Sequence, residues 1–393
     1  MAQQKILIAG AGIGGLTAAS CLMSQGFEVE VYEQAPVLSE VGAGIQISAN
    51  AMHVIRYLGL GDAISRTGVR PKAYVFRLHD TGEIIQTFEL SEEHEQQHGA
   101  PYIQLHRADL HDLLVAKALE GRPDVVRLNH KVVDFVERAD GVELKFADGS
   151  SAHGDLLVGC DGLKSIVRRQ IAGDVPPTYT GDGVWRITVP SDRLPRDFQD
   201  QVMSVFMGPG GHAVCYYLRG GTLLNFAGTV EADASEESWT LKFPWENLKA
   251  DFAGWHPVIQ TIIDAVDKDE CYRWSLHDRP PIRNWSTRRA TILGDAAHPT
   301  LPYLAQGAAM AIEDAAVLSR ALSQAGSVEQ ALELYQRNRI VRTARVVEQS
   351  TENQKLFHLR SVAEIRRQFA HRDEGADRNR WLYSYNPLTV ELL

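Results

Sequence analysis

"ILIAGAGIGGLTAASCLM", residues 6–23, runs for eighteen residues without a charge. Its length and apolarity on their own suit a signal peptide or a membrane anchor. Gly10, Gly12, Gly14 and Gly15 argue against both. Glycines this dense weaken a spanning helix through its middle, whereas a turn between a strand and a helix requires them. The stretch and its surroundings therefore parse as a strand over Lys5–Ala9, a glycine turn, a helix over 14–25 and a second strand over Glu28–Tyr32.

Glu33 follows the second strand directly. Gly10-x-Gly12-x-x-Gly15, with an acid about 20 residues further on, is the dinucleotide-binding fingerprint, and here every part occurs in order. Gly10 permits the tight turn, Gly12 lets a pyrophosphate approach the backbone, and Gly15 lets the helix pack on the strand. The helix N-terminus then holds the anion, and Glu33 accepts hydrogen bonds from the adenosine ribose hydroxyls. The fingerprint does not distinguish NAD from FAD.

Across 393 residues the chain is long enough for two domains or one large elaborated one. Its net charge of −10 leaves no electrostatic footprint for nucleic acid, and no polybasic run suggests anionic lipid. Cys21, Cys160, Cys215 and Cys271 lie far apart and form no CxxC pair, which argues against a zinc site or disulfide framework and fits a reducing cytoplasm. No second stretch is long and apolar enough to span a bilayer. No metal and no membrane or nucleic-acid partner is expected; the chain is read as a monomer or homodimer.

Periodicity places a helix over 49–58, strands over 72–90 broken at "HDTGE", and a helix over 105–118. Two strands flank "RADG" within 125–146, and 184–226 is strand-like between Pro/Gly turns. Helical patterns follow over 248–266 and 312–324, and again from about 327 onward. Mixed β stretches thus appear twice between Rossmann-like pieces.

Two further motifs narrow the cofactor. In "DLLVGCDGLKSIVRR", residues 155–169, a buried strand delivers Asp161 and Gly162 to a turn before a helix. In "ATILGDAAHPTLPYLAQGAAMAIEDA", residues 290–315, a strand ends at Gly294-Asp295, and a proline-interrupted loop leads to a helix of small residues. An aspartate at a strand end can accept hydrogen bonds from a polyol such as a flavin's ribityl chain. A helix that starts with small residues lets its N–H groups and positive dipole end approach a ring that becomes anionic on reduction.

With these motifs in hand the sequence resembles the single-component FAD-dependent aromatic hydroxylases of the para-hydroxybenzoate hydroxylase type, and among them the salicylate, 3-hydroxybenzoate and 6-hydroxynicotinate hydroxylases. "GAGIGGLTAA", "GAGIQISAN", "HRADLHDLL", "GCDGLKSIVR" and the Gly294 segment carry the resemblance over most of the chain. It implies an α/β fold: a Rossmann-like FAD-binding domain, a discontinuous mixed β-sheet substrate domain, and C-terminal helices. The expected boundaries are 1–71, 100–175 and 282–326 for the FAD-binding domain, 72–99 and 176–281 for the substrate domain, and 327–393 for the helical region.

The resemblance also implies roles. Glu33 would hold the adenosine ribose, Arg107 the pyrophosphate and ribityl region, and Asp295 the ribityl hydroxyls. Asp161 and Gly162 would serve FAD and a transient nicotinamide, and Gly42 and Gly44 would let backbone lie close to the isoalloxazine. Pro299 would face the flavin, and Gly307 with Ala308 would meet its pyrimidine edge, while His298 reads as a structural loop residue. Such an enzyme reduces FAD with NADH or NADPH and lets O2 add at flavin C4a, giving a hydroperoxide whose terminal oxygen is electrophilic. The substrate ring must then be electron-rich, and a phenolate is a far better nucleophile than a phenol, so the site needs a base and a dry cavity.

His212 and Tyr216, four apart in "GPGGHAVCYYLRGG", point to the same face of a strand, and a histidine has a pKa suited to accepting a phenolic proton. By resemblance His212 is the active-site histidine, with Tyr216 and Tyr102 as pocket tyrosines. Pro302 departs from the pattern, since the resembling hydroxylases often carry Gln or His there. That leaves the substrate open among salicylate-like and other phenolic or N-heteroaromatic acids, with or without decarboxylation. Arg186 and Arg219 are candidates to neutralise a substrate carboxylate. Three other readings compete: an FAD monooxygenase or epoxidase for larger polyketides or terpenoids, a nicotinamide-only dehydrogenase, and a non-catalytic binding protein. The dehydrogenase leaves the Asp161 and Gly294 motifs unexplained, and the binding protein predicts damage to the glycines or Asp295 that is not seen.

Overall fold

Five parallel strands carry the opening stretch, in the order Ala290–Ile292, Leu156–Gly159, Lys5–Ala9, Glu28–Tyr32, Val126–Arg127. The computed structural model describes residues 4–39, 43–196, 198, 200–233, 241–370 and 379–393. Ile6, Leu7, Ile8 and Ala9 are fully buried, as expected for a central parallel strand covered on both faces. From Lys5–Ala9 the chain pairs on one side with Glu28–Tyr32 and on the other with Leu156–Gly159. The carboxyl end of Lys5–Ala9 is therefore a topological switch point, where open α/β sheets bind ligands.

A seven-stranded sheet takes its strands from two separated stretches of sequence. Its order is Tyr272–Asp278, Thr178–Pro190, Leu223–Glu231, Gly211–Leu218, Met203–Gly208, Ala73–Leu78, Ile84–Glu89. All pairs are antiparallel except Met203–Gly208 with Ala73–Leu78. Side chains alternate across it. Trp185, Ile187, Ala213, Cys215, Leu224 and Phe226 face the helices Trp245–Asp251 and Pro257–Ala265 and form a core with Leu248, Ile259 and Ile263. Val184, Arg186, His212, Val214, Tyr216, Asn225, Ala227 and Thr229 point the other way, into a cavity.

Two expected elements differ. Leu105 and His106 belong to a strand, Ile103–His106, paired with Gly44–Ile47, and the helix begins at Arg107. The helical pattern over 248–266 is two helices, broken where Gly254 takes φ +78° and Pro257 opens the second. The C-terminal part contributes the helix Val328–Phe357, which packs on Gly307–Gln324. Among the described residues no helix is long and apolar enough to cross a membrane.

Candidate active site

Three parallel strands end side by side, and the turns after them deliver Gly12, Gly162 and Asp295 to one cavity of about 360 Å³. The glycines of the opening motif divide the work. A Cβ on Gly10, whose φ is +101°, would sit 2.5 Å from the Cys160 carbonyl oxygen, and one on Gly15 only 2.0 Å from that of Gly10. These two glycines hold turn, helix and strand together. Among the described residues a Cβ on Gly12 would meet nothing within 4 Å, so this residue faces open space.

Two helices start at the cavity without a capping side chain, Ile13–Ser24 after Gly12 and Gly307–Gln324 after Gln306. Their first N–H groups are left for a ligand. Glu33 is fixed beside the first, its carboxylate accepting from the N–H groups of Ala11 at 2.8 Å and Ala35 at 2.9 Å. Arg107 lines the cavity from the start of its helix, where its N–H donates to the Ala43 carbonyl at 2.9 Å. Uncapped helix ends, glycine backbone, the Arg107 cation and the exposed Asp295 carboxylate together fit the anionic, polyol and planar parts of FAD.

Not every residue of these motifs faces the cavity. Gly162, with φ +72°, lines it, whereas the Asp161 carboxylate accepts from the Ser165 hydroxyl and from the N–H groups of Ile166 at 2.7 Å and Val167 at 3.2 Å. Asp161 thus braces the turn, and burial raises its pKa against those bonds. Gly307, Ala308 and Pro302 line the cavity, while Pro299 is buried outside the lining. His298 is buried and bonded through Nε2 to Asp314 at 2.5 Å, a structural loop residue. Gly42 lies outside the described residues.

The opposite wall is one face of the seven-stranded sheet. Register sets Tyr216 opposite Asn225, Val214 opposite Ala227, and His212 opposite Thr229, so strand pairing fixes which side chains meet a ligand. Asn225 Oδ1 accepts from the Gly44 N–H at 2.7 Å. A Cβ on Gly44 would lie 2.4 Å from the Tyr216 hydroxyl oxygen, so the tyrosine ring rests where only glycine leaves room. Gln46 bonds to Tyr216 and accepts from the Tyr102 hydroxyl at 2.5 Å, joining both tyrosines. Tyr102 is buried behind Gln46 rather than in the cavity lining. Burial pushes the Tyr216 phenol up to about 12, against the pull of Gln46 and Arg186, and also raises Tyr102 well above the ordinary phenol value.

His212 is buried, and burial together with His358 drives its pKa well below the ordinary imidazole value. Arg186 stands above the Trp274 ring at 4.3 Å and has no acidic partner among the described residues. Burial draws its guanidinium down to about 10, Tyr216 opposing and Arg107 assisting, so it stays charged at neutral pH. Arg219 is placed elsewhere: its guanidinium grips Asp109 at 2.9 and 2.6 Å, outside the cavity lining. Sequence reasoning missed Gln46, Asn225 and Trp274. For Asn225 a signal existed, a polar side chain at an inward position of "LLNFAGTV".

Comparison with known proteins agrees with this geometry. A family described as FAD binding domain matches residues 3–350. The chain is 37% identical to 3-hydroxybenzoate 6-hydroxylase of Polaromonas naphthalenivorans, over 97% of this chain and 96% of the relative. It is 36% identical to 6-hydroxynicotinate 3-monooxygenase of Pseudomonas fluorescens, over 89% and 91%. Among solved structures, Klebsiella pneumoniae HpxO complexed with FAD and uric acid superimposes with a TM-score of 0.85 at 29% identity, covering 98% of this chain and 97% of that one. A strand-turn-helix that fits a dinucleotide, a second cavity wall bearing His212 and Tyr216, and these relatives converge: the chain belongs to the FAD binding domain family, among the FAD-dependent aromatic monooxygenases.

Proposed function

We propose that this enzyme hydroxylates a small aromatic acid bearing a ring hydroxyl, of the hydroxybenzoate, salicylate or hydroxynicotinate class, with NADH or NADPH and O2 as co-substrates. The observation that carries the reading is Arg186, a half-buried cation that lines the cavity without an acidic partner among the described residues, on the same wall as His212 and Tyr216. A ligand that fills the cavity strips water from this cation, which is costly unless the ligand brings a counter-charge, and a substrate carboxylate supplies one.

Bound FAD supplies the electron transfer and the activation of O2. The residues of this chain then have distinct tasks. Arg186, held against Trp274, anchors the carboxylate and sets which ring edge faces the flavin side. His212, neutral at the pH of an assay, accepts the proton of the ring hydroxyl, which makes the ring more nucleophilic. Tyr216 stays protonated and donates a hydrogen bond to the resulting oxyanion. Val184, Val214, Leu276 and Leu301 exclude water from the reacting ring.

Arg186→Met tests the assignment. In assays with salicylate, 3- and 4-hydroxybenzoate and 6-hydroxynicotinate, each beside the same ring without its carboxylate, the variant is expected to lower kcat/KM for the preferred acid about 10- to 100-fold. That is the worth of a charge-assisted hydrogen bond. FAD content and turnover of the carboxylate-free ring should not change. An undiminished kcat/KM for the acid would remove Arg186 from substrate binding.

A further inference from the structure

Beyond His212 lies a buried polar cluster that the cavity does not reach. Asp182, on the strand Thr178–Pro190, accepts from the Tyr303 hydroxyl at 2.9 Å and from Gln354, both through Oδ2. Its Oδ1 is left to His358, whose Nδ1 stands 3.5 Å away. His358 caps the long C-terminal helix, and its side chain keeps a tenth of its surface exposed. The His212 ring packs against Tyr303, Phe357 and His358, with centroids at 5.2, 5.1 and 5.6 Å.

Among the described residues, two atoms in this cluster have no hydrogen-bond partner although both are buried: Nδ1 of His212 and Nε2 of His358. A buried ring nitrogen without a partner costs free energy, and these two sit on neighbouring rings. With the ring centroids 5.6 Å apart, one water between the two nitrogens would satisfy both. The roles are complementary. With Nδ1–H directed at Asp182, His358 presents an acceptor at Nε2, while His212 with its Nε2 turned to a ligand presents a donor at Nδ1.

We propose that His358 and Asp182 form the exit for the proton that His212 takes from the substrate hydroxyl. The O–H bond breaks and its proton goes to His212 Nε2. His212 then releases its Nδ1 proton to His358 Nε2. The His358 imidazolium then gives up its Nδ1 proton past Asp182 to solvent, to which a tenth of the His358 side chain is exposed. One proton has moved from substrate to solvent, both histidines are neutral again, and no redox partner is consumed. Burial is the largest influence on His358 and holds its pKa below the ordinary imidazole value; Asp182 and Glu231 favour the transient charge against it, whereas Arg360, paired with Glu231 at 2.6 Å, and His212 oppose that charge. His358 and Asp182 are thus positioning residues that act through His212. The inference rests on the phenolic-acid reading, and a structural account would make the cluster only a tether between helix and sheet.

The test uses FAD-loaded enzyme and 3-hydroxy-4-nitrobenzoate, a phenolic acid whose phenolate absorbs in the visible, mixed by stopped flow. His358→Gln and Asp182→Asn are expected to keep FAD and probe affinity while slowing phenolate formation tenfold or more. Added imidazole buffer should restore the rate, which a tether would not allow. Phenolate formation at the wild-type rate in either variant overturns the relay. Should both variants lose FAD, the histidine 15N spectrum of the wild-type holoenzyme decides: the relay requires His358 protonated at Nδ1 and bare at Nε2, and the opposite tautomer overturns it. A wild-type enzyme that fails to bind the probe overturns the phenolic-acid reading and the relay together, an outcome recognisable because it appears without any substitution.

Discussion

His212 is useful because its surroundings keep it uncharged. Its pKa lies below the ordinary value in the folded chain, so the unfolded state binds a proton first as the pH falls. Its contribution to stability is complete above about pH 6.5 and declines below it, and in the working range the ring is a free acceptor. His212→Gln should retain FAD and continue to oxidise NAD(P)H, while hydroxylated product falls by about 10²- to 10⁴-fold, the usual worth of a general base. The ratio of product to nicotinamide consumed checks this, and an unchanged ratio would remove His212 from the chemistry. Gly44 makes a steric case at the same scale. Gly44→Ala places a carbon 2.4 Å from the Tyr216 hydroxyl oxygen, so the tyrosine must move. A loss of about 1–3 kcal/mol in stability and a raised KM are expected, read by thermal melts and steady-state kinetics.

Among the elements, the loop after Gly294 is held from behind rather than by its own sequence. Asp314, on the helix Gly307–Gln324, accepts from the Gly294 N–H at 3.0 Å, from His298, and from Arg339 at 2.7 Å. Glu313 beside it takes Arg339, Arg342 and Asn50. Burial raises the Asp314 carboxyl, but His298 and Arg339 outweigh it and hold the group at about 2. A depressed carboxylate stabilises the fold above its unfolded pKa and stops doing so as the pH falls through the folded value. On the order of 2 kcal/mol should thus disappear between about pH 4 and pH 2. Asp314→Asn should cost about 3–5 kcal/mol at neutral pH, because Arg339 loses a buried partner, and should flatten that acid limb. Urea melts at pH 7 and pH 3 measure both, and equal stability of variant and parent would contradict the bracing role. This support was invisible in the sequence, which shows Glu313-Asp314 only as part of a helix. The opening strand, turn and helix were legible because their chemistry is local: glycines, an apolar run and an acid in fixed order. Gln46, Asn225 and Asp182 were not, since their partners are set by strand register and by contacts across distant segments. Asp161 was legible as a turn but not as its brace, because a carboxylate beside glycine reads the same whether it bonds to backbone or to a ligand.

For the whole molecule, the cavity exists because two sheets of different kinds meet. The parallel sheet brings three strand ends together and leaves helix N-termini open. One face of the seven-stranded sheet, with its other face committed to packed helices, supplies base, phenol and cation in register. Neither sheet alone holds both the donors that suit FAD and the side chains that suit a phenolic acid. The most direct measurement is NADH and NADPH oxidation by the purified, yellow protein across salicylate, 3- and 4-hydroxybenzoate and 6-hydroxynicotinate, with product and H2O2 quantified in each reaction. The expected result is that one acid accelerates oxidation and yields one hydroxylated product per nicotinamide, with little H2O2. Oxidation that no acid accelerates, or that yields only H2O2 with every acid, would contradict the assignment to small aromatic acids.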